Sequence, residues 1–334
     1  MTASSTTPRR APAERFAQWA AGDGAELPLP GSGHTRTRFA ALQSLARADL
    51  SFARLAEGHA DAVAILAELG GPAPGPGERW GVWAAQPPGA SLDARPDAAG
   101  GWVLDGVKPY CSGAHSCTHA LVTADTADGR RLFAVATGHA GYAPVEGTWR
   151  AVGMAGSDSP DVRFTGVPAR AIGGVDAYLR RPGFTHGGVG VAACWLGGAR
   201  GVADALLARA RSRDPDPLTA AHLGAVDVAL HAAQCALDAA ADAIDAAPYD
   251  AGPPAELRAA RVRALVADVC ARVLDEVGRA LGAGPLCHDA EHAQRVADLT
   301  VYIRQHHAER DLAALGGMVA AGKAEKAEEE DSDD

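Results

Sequence analysis

The stretch GGWVLDGVKPYCSGA, residues 100–114, decides how the rest of the chain is read. Trp102 to Leu104 has strand character, Asp105-Gly106 supplies a turn signal, and Val107-Lys108 resumes the strand. A Ser-Gly pair, Ser112 and Gly113, follows at the strand end. A hydroxyl beside a glycine presents a donor to a flat ligand while the glycine lets the backbone approach closely. The residues alone leave open the plainer reading of a simple hairpin exit.

Outward from this stretch, short apolar runs separated by Gly, Asp and Pro continue in both directions: GVWAA (81–85), HALVTA (119–124), RLFAVAT (131–137) and VRFTGV (162–167). Six short strands over residues 80–175 predict a small antiparallel β-barrel or sandwich. Before it, residues 1–79 hold a short N-terminal helical domain and a linker. Asp49 reads as an N-cap, Leu55, Ala62, Ile65, Leu66 and Leu69 recur at helical spacing, and Gly70, Gly71 and Pro72 supply the stop. The Pro/Gly-rich segment GPAPGPGER (71–79) then marks a domain boundary. After Phe184 helical patterning returns in four segments, 187–212, 218–246, 255–281 and 290–315. The clearest carries Val262, Leu265, Val266, Val269, Val273, Val277 and Leu281 as one stripe. Amphipathic helices with short connections predict a C-terminal four-helix bundle over residues 185–318. The fold class is therefore α+β, in three parts.

Composition agrees. The chain has 334 residues, 47% of them hydrophobic but only 5% aromatic, so the core is built mainly of Ala, Leu and Val. A net charge of −10 argues against nucleic acid as a partner. Part of that charge lies in residues 319–334, where seven acids from Glu325 to Asp334 face Lys326, and this tail is expected to be disordered. No signal peptide is visible, and nowhere do eighteen apolar residues run together, so a cytoplasmic protein with no membrane partner is expected. The six cysteines are scattered and do not form a disulfide framework.

Few motifs carry chemistry by themselves. Cys111, His115, Cys117 and His119, all on odd positions, offer zinc-type ligands, but four ligands along one strand cannot readily surround a tetrahedral ion, so no metal is expected. QPPGAS (86–91) is a Pro-Gly loop with Ser91 at its end, able to cradle a phosphate through backbone N–H groups, yet it lacks the lysine and spacing of a P-loop. Neither G-x-S-x-G nor H-E-x-x-H occurs. YIRQHHAERD (302–311) places His306 on a helical face with Leu299, Tyr302 and Ile303, and His307 four residues before Asp311, where a carboxylate can orient its ring. A satisfied core histidine and a catalytic one both fit this pattern.

Taken together, the segments resemble the acyl-CoA dehydrogenase family, from about Ala46 to Gly316. ARADLSFARLAEGHADAV (46–63) resembles that family's last N-terminal helix. GGWVLDGVKPYCSGA is similar to its flavin-facing hairpin, GMAGSDSPDVRFTGVPA (153–169) to the stretch that closes its β domain, and ALGAG (280–284) to its Leu-Gly-Gly turn. RVADL (295–299) sits where the family opens its last helix. The resemblance implies FAD, with Tyr110 against the flavin ring, Ser112 hydrogen-bonded to flavin N5 or O4 beside Gly113, and Ser91 at the pyrophosphate. Arg211 and Gly282 match positions that complete a neighbouring subunit's cofactor site, implying a homodimer or homotetramer. The implied activity is α,β-desaturation of an acyl thioester carried by CoA or a carrier protein. Departures bear on that activity. The N-terminal domain is short, and Asp214 and Pro215 replace a Phe-Gly pair after Arg211. The two positions from which family members deliver a glutamate base hold His306 and a site near Gly187, beside His186. His306 is then the candidate catalytic base. Flavin monooxygenases of the same fold, and a non-catalytic member acting as a binding or assembly partner, are the alternatives.

Overall fold

Asp49 shows how the sequence enforces the N-terminal architecture. Its backbone is extended and its carboxylate accepts from Phe52 N at 2.9 Å, so it caps helix α3 (Leu50–Glu68) and breaks it from α2 (Thr35–Ala48). The computed structural model describes residues 11–22, 25–98, 100–212 and 216–332. A short helix, α1 (Pro12–Ala20), precedes this pair.

Helix α3 is the spine of the molecule, with 14 of its 19 residues buried. Leu50 and Ala53 enter the bundle core, Phe52, Leu55 and Ala56 the barrel core, and Ala62, Ile65 and Leu66 a third cluster with Trp80 and Ile172. Each such large side chain contributes about 1.5–3 kcal/mol on burial. The linker after Gly70 thus separates two patterns in sequence, while α3 welds them in space.

The middle region forms a seven-stranded sheet: β1 (Trp80–Trp83), β2 (Leu92–Pro96), β3 (Trp102–Lys108), β4 (His119–Thr126), β5 (Gly129–Ala136), β6 (Tyr142–Pro144) and β7 (Val162–Ile172). The pairings β4–β5–β7–β3–β2–β4 close a circuit, giving the expected barrel. Two pairings depart from the antiparallel expectation: β1 and β2 both run parallel to β4. Neither strand is joined to β4 by a tight turn: β1 enters from the linker, and β3 lies between β2 and β4 in the chain.

After α4 (Ala177–Arg180), three long helices follow: α5 (Pro182–Ser212), α6 (Pro217–Ala246) and α7 (Pro253–Leu281). Helix α5 is apolar and long enough to cross a membrane, but it lies at the centre of the core, with Cys194, Trp195, Leu196 and Ala199 fully covered. Pairing of His222 near the start of α6 with Glu276 near the end of α7 at 2.6 Å fixes those two helices antiparallel. The bundle is completed by α2, packed on α5 and α6, and by α9 (Ala290–Tyr302), packed on α5 and α7.

The fourth predicted segment, 290–315, is not one helix. Helix α8 (Gly284–His288) precedes α9, which ends at Tyr302 in a 3-10 turn (Ile303–Gln305). His306 is extended (φ −86°, ψ 122°) and Ala308 is left-handed (φ 47°) before α10 (Glu309–Ser332) begins. His306 therefore leaves the helix that was expected to carry it. Helix α10 also extends through the acidic segment to Ser332, where irregular chain was expected, because its Ala, Glu and Lys residues combine high charge with high helix propensity.

Candidate functional site

The site begins where β3 ends. Lys108 is drawn inside the barrel, 2% exposed, with Nζ donating to Thr123 O at 2.7 Å and Thr123 Oγ1 at 2.8 Å. Burial lowers its pKa to about 8. Pro109 then throws the chain outward. Tyr110 adopts a left-handed conformation (φ 57°) and leaves its ring 57% exposed.

Residues 111–115 lock onto the loop 153–160. Cys111 N donates to Pro160 O (3.0 Å), Gly113 N to Ser157 O (2.9 Å) and Asp158 O (2.8 Å), and His115 N to the Asp158 carboxylate (2.8 Å). His115 Nδ1 also lies 2.9 Å from Asp158 Oδ1. Met154 and Asp158 are left-handed like Tyr110. Strain of about 1–3 kcal/mol per such residue persists only where surrounding contacts over-determine it, as at ligand clamps. Gly113 (φ +74°) has no latitude: a Cβ there would sit 2.8 Å from Cys117 Sγ.

Ser112 stands at the tip of this lock. Its carbonyl accepts from Trp83 Nε1 at 3.0 Å, which fixes the backbone. The Ser159 hydroxyl, itself 2.9 Å from Ser157 Oγ, donates to Ser112 Oγ at 2.9 Å. Because Ser112 Oγ accepts that bond, its own proton is free for an acceptor on a ligand. A flat, polar-edged ring resting on exposed Tyr110 and receiving the Ser112 proton fits this arrangement. Ser91, exposed at the start of β2, has its carbonyl bonded to Val107 N at 2.9 Å, on the strand that leads to Tyr110. The structure thus groups Ser91, Tyr110, Ser112 and Gly113 along one strand and its exit.

Ser112, Cys117, Trp80, Gly58 and Arg54 line a cleft too tight for a water molecule. Arg54 Nη1 donates to Glu57 Oε2 at 2.6 Å, and both belong to α3. Burial pushes the Glu57 carboxyl above its ordinary pKa, against the opposing pull of Arg54. Beyond this pair lie Tyr302, whose hydroxyl is buried without a partner, and Trp195, whose Nε1 is likewise unpartnered; their rings meet edge-on at 6.3 Å. Arg263 covers the Trp195 ring at 4.8 Å and donates to Gly188 O at 2.9 Å and Gln305 O at 3.5 Å. His306 follows Gln305, 8% exposed, with Nε2 4.0 Å from Asp311 Oδ2. Burial lowers the His306 pKa, only partly opposed by Asp311. The same carboxylate holds His307, at 3.4 Å from Nδ1 and 2.9 Å from the backbone N, as the four-residue spacing predicted.

Arg211 and Gly282 are not brought to this site. Both are exposed at the C-terminal ends of α5 and α7, and Arg211 lies roughly 25 Å of helix beyond Cys194. Asp214 and Pro215 fall outside the described residues. The Cys/His quartet is dispersed: Cys111 and Cys117 are buried in the barrel core, His115 pairs with Asp158, and His119 stacks on Trp80 at 4.8 Å. Among the described residues no cluster of metal-type ligands forms.

Sequence reasoning missed Arg54, Glu57, Arg263 and Ser159. Arg54 and Glu57 interrupt the apolar pattern of a helix that is buried all round, and that interruption was the available signal. Ser159 had none, since it reaches Ser112 only through the loop lock.

Comparison with known proteins fits the fold. Residues 174–305 match the family model of the acyl-CoA dehydrogenase C-terminal domain. Among curated proteins no relative matches the sequence. The fold is similar to that of KijD3, solved with FMN and dTDP-3-amino-2,3,6-trideoxy-4-keto-3-methyl-D-glucose, at 19% identity over 93% of this chain and 91% of that one, TM-score 0.75. A nitrososynthase from Micromonospora carbonacea var. africana matches at 21% identity over 92% and 88% of the two chains, TM-score 0.75. TdsC from Paenibacillus sp. A11-2, solved with FMN and indole, matches at 18% identity over 91% and 94%, TM-score 0.73. The fold is that of the acyl-CoA dehydrogenases. The match over residues 174–305 agrees with the resemblance drawn from the sequence.

Proposed function

We propose that this chain is a flavin-dependent monooxygenase of the acyl-CoA dehydrogenase fold, acting on a small organic molecule. The observation that carries this reading is the absence of a carboxylate from both positions where the resemblance implies a glutamate base. One position is at Gly187, beside His186. The other is His306, displaced from its helix onto an extended connector. Desaturation of a thioester needs that base; monooxygenation needs no α-proton removal. TdsC, which shares the fold, is named a dibenzothiophene monooxygenase.

Ser112, Tyr110, Gly113 and Ser91 are the residues proposed to hold the flavin. The chemistry that a reduced flavin supplies is two electrons for dioxygen, one atom of which enters the substrate while the other leaves as water. The Ser112 hydroxyl would orient the ring edge of a bound flavin, and the exposed Tyr110 ring would cover one face of it. Neutral His306, kept so by burial, takes a proton at Nε2 from a substrate hydroxyl, amine or thiol. The resemblance implies FAD; FMN is the better fit to the altered pair after Arg211, which removes part of the site a neighbour would lend to the longer cofactor. KijD3 and TdsC were solved with FMN. A homo-oligomer built through the bundle, in the cytoplasm, remains part of the proposal.

The test has an anaerobic arm and an oxygen arm. Flavin-loaded protein mixed with a panel of acyl thioesters should keep its oxidised spectrum, whereas the reduced protein given heavy-isotope dioxygen and a panel of phenols, amines and thiols should place label in a product. Bleaching of the flavin by a thioester would return the chain to the desaturase reading.

A further inference from the structure

Lys108 carries a buried charge that the barrel does not balance. Its ammonium donates to Thr123 O at 2.7 Å and Thr123 Oγ1 at 2.8 Å, and among the described residues no carboxylate pairs with it. A cation buried against neutral acceptors alone is costly to hold. Its position is specific. Along one edge of β4, β1 pairs as far as Val122 and β2 joins only at Asp125. Thr123 and Ala124 have no strand neighbour on that edge, and the ammonium is bonded at this gap. The β1–β2 connection, residues 84–91, starts and ends beside it. Thr123 Oγ1 donates to Ala84 O at 3.5 Å, and Val107 N, next to Lys108, donates to Ser91 O at 2.9 Å. Lys108 therefore stands at the root of the Pro-Gly loop, whose own sequence lacks a lysine.

The loop presents what an oxyanion binds. Among the described residues, Gly89 N, Ser91 N and the Ser91 hydroxyl have no protein acceptor, and both residues are exposed. A Cβ on Gly89 (φ +86°) would meet nothing within 4 Å, so the space in front of the loop is open. The neighbouring charges leave Lys108 as the unbalanced buried one. Asp125 accepts from Gln86 Nε2 at 2.7 Å and from Arg130 Nε at 3.0 Å, which balances Arg130. Arg95 is paired with Asp105. Asp93 is exposed on β2, where water screens it. The Lys108 charge, held out of water, is screened least.

We propose that Lys108 makes the loop 84–91 a subsite for a phosphate monoester, the terminal phosphate of FMN. The free N–H groups and the Ser91 hydroxyl bind the phosphate oxygens. The buried ammonium touches no ligand; it supplies the countercharge from behind the loop and so selects a phosphorylated flavin over riboflavin. This rests on the flavin reading above. A merely structural lysine, capping the unpaired β4 carbonyl, would support both flavins equally.

The full chain is titrated with FMN and with riboflavin, by flavin fluorescence in phosphate-free buffer of low ionic strength. The two ligands share one ring system, so the ratio of their affinities isolates the phosphate. Wild-type protein should bind FMN more tightly than riboflavin by about tenfold or more. Lys108→Gln, which removes the charge and keeps a donor for Thr123, should weaken FMN about tenfold and leave riboflavin unchanged. On the wild type alone, the ratio should fall as pH rises past about 8, where the buried ammonium loses its proton. Of its neighbours, Asp125 and Arg130 are a carboxylate and a guanidinium, which do not titrate there, and burial holds the Cys111 thiol well above its ordinary pKa. That arm decides the matter even if the variant fails to fold. Equal wild-type affinities, a ratio that survives Lys108→Gln or stays flat with pH, or equal weakening of both flavins would overturn the proposal. Binding of both flavins without these differences defeats this proposal alone; binding of neither defeats the flavin reading and this with it.

Discussion

The loop lock around Ser112 and the connector around His306 both place reactive side chains where barrel and bundle meet, yet they are built in opposite ways. Residues 110–115 and 154–160 are held by backbone-to-backbone bonds across more than forty positions of sequence, and three left-handed residues are fixed by them. Residues 303–308 are held by a 3-10 turn, one nearby carboxylate and a single long-range contact, from Arg263 on α7 to the Gln305 carbonyl. Geometry set by backbone pairing survives the loss of any one side chain. Geometry set by a helix break depends on Asp311 and Arg263. The rigid half is suited to gripping a ligand and the adjustable half to moving a proton.

The largest effect expected on this contrast is at His306. On the best phenol, amine or thiol of that panel, His306→Ala should slow single-turnover product formation by roughly 10² to 10⁴ and leave flavin affinity unchanged. His307→Ala should change neither. Because only the neutral ring accepts a proton, the wild-type rate should rise with pH through a value below the ordinary imidazole pKa. Equal, modest effects from the two variants, or loss of stability without loss of rate, would show that both histidines are only packed.

Next in size is the joint between the two regions. Gly153 approaches α9 so closely that a Cβ would lie 2.0 Å from Ala297 O, while Met154 N donates to the Asp298 carboxylate beside it. Gly153→Ala must push loop and helix apart, at about 3 kcal/mol in denaturant unfolding. A neutral substitution would mean the two halves are not welded here.

Smaller again is the contribution of Lys108, the post on which the lock stands. Its folded pKa is about 8 against an ordinary 10.5. The unfolded chain therefore binds the extra proton between those values, and stability should rise with pH across that window by on the order of 2 kcal/mol. Lys108→Met should abolish that slope. An unchanged slope would show that another group titrates there.

The same contrast explains what the sequence disclosed. The strand in 100–114, the cap at Asp49 and the stripe from Val262 to Val277 were legible because each is a local pattern with a local cause: alternation, a side-chain acceptor, a 3.6-residue period. Asp105-Gly106, read as a turn, is instead a bulge inside β3, whose hairpin partner is β2. The break after Tyr302 was not, because no Gly or Pro marks it and the apolar period runs on through Ile303 toward His306. The Arg54–Glu57 pair looked like an ordinary solvated step on a helix face, and only the packing of α3 between barrel and bundle buries it. Ser159 and Asp158 acquire their roles through the pairing with residues 111–115, which no short-range pattern encodes.

The claim underlying all of this is that the exit of β3 cradles a flavin through the free proton of Ser112. The most direct measurement is a fluorescence titration of FMN and of FAD into wild-type protein and into Ser112→Ala. The account predicts saturable quenching in the wild type, and affinity weakened about tenfold in the variant, as for loss of one hydrogen bond of about 1.4 kcal/mol. Absence of quenching by either flavin, or identical affinities in the two proteins, would contradict it.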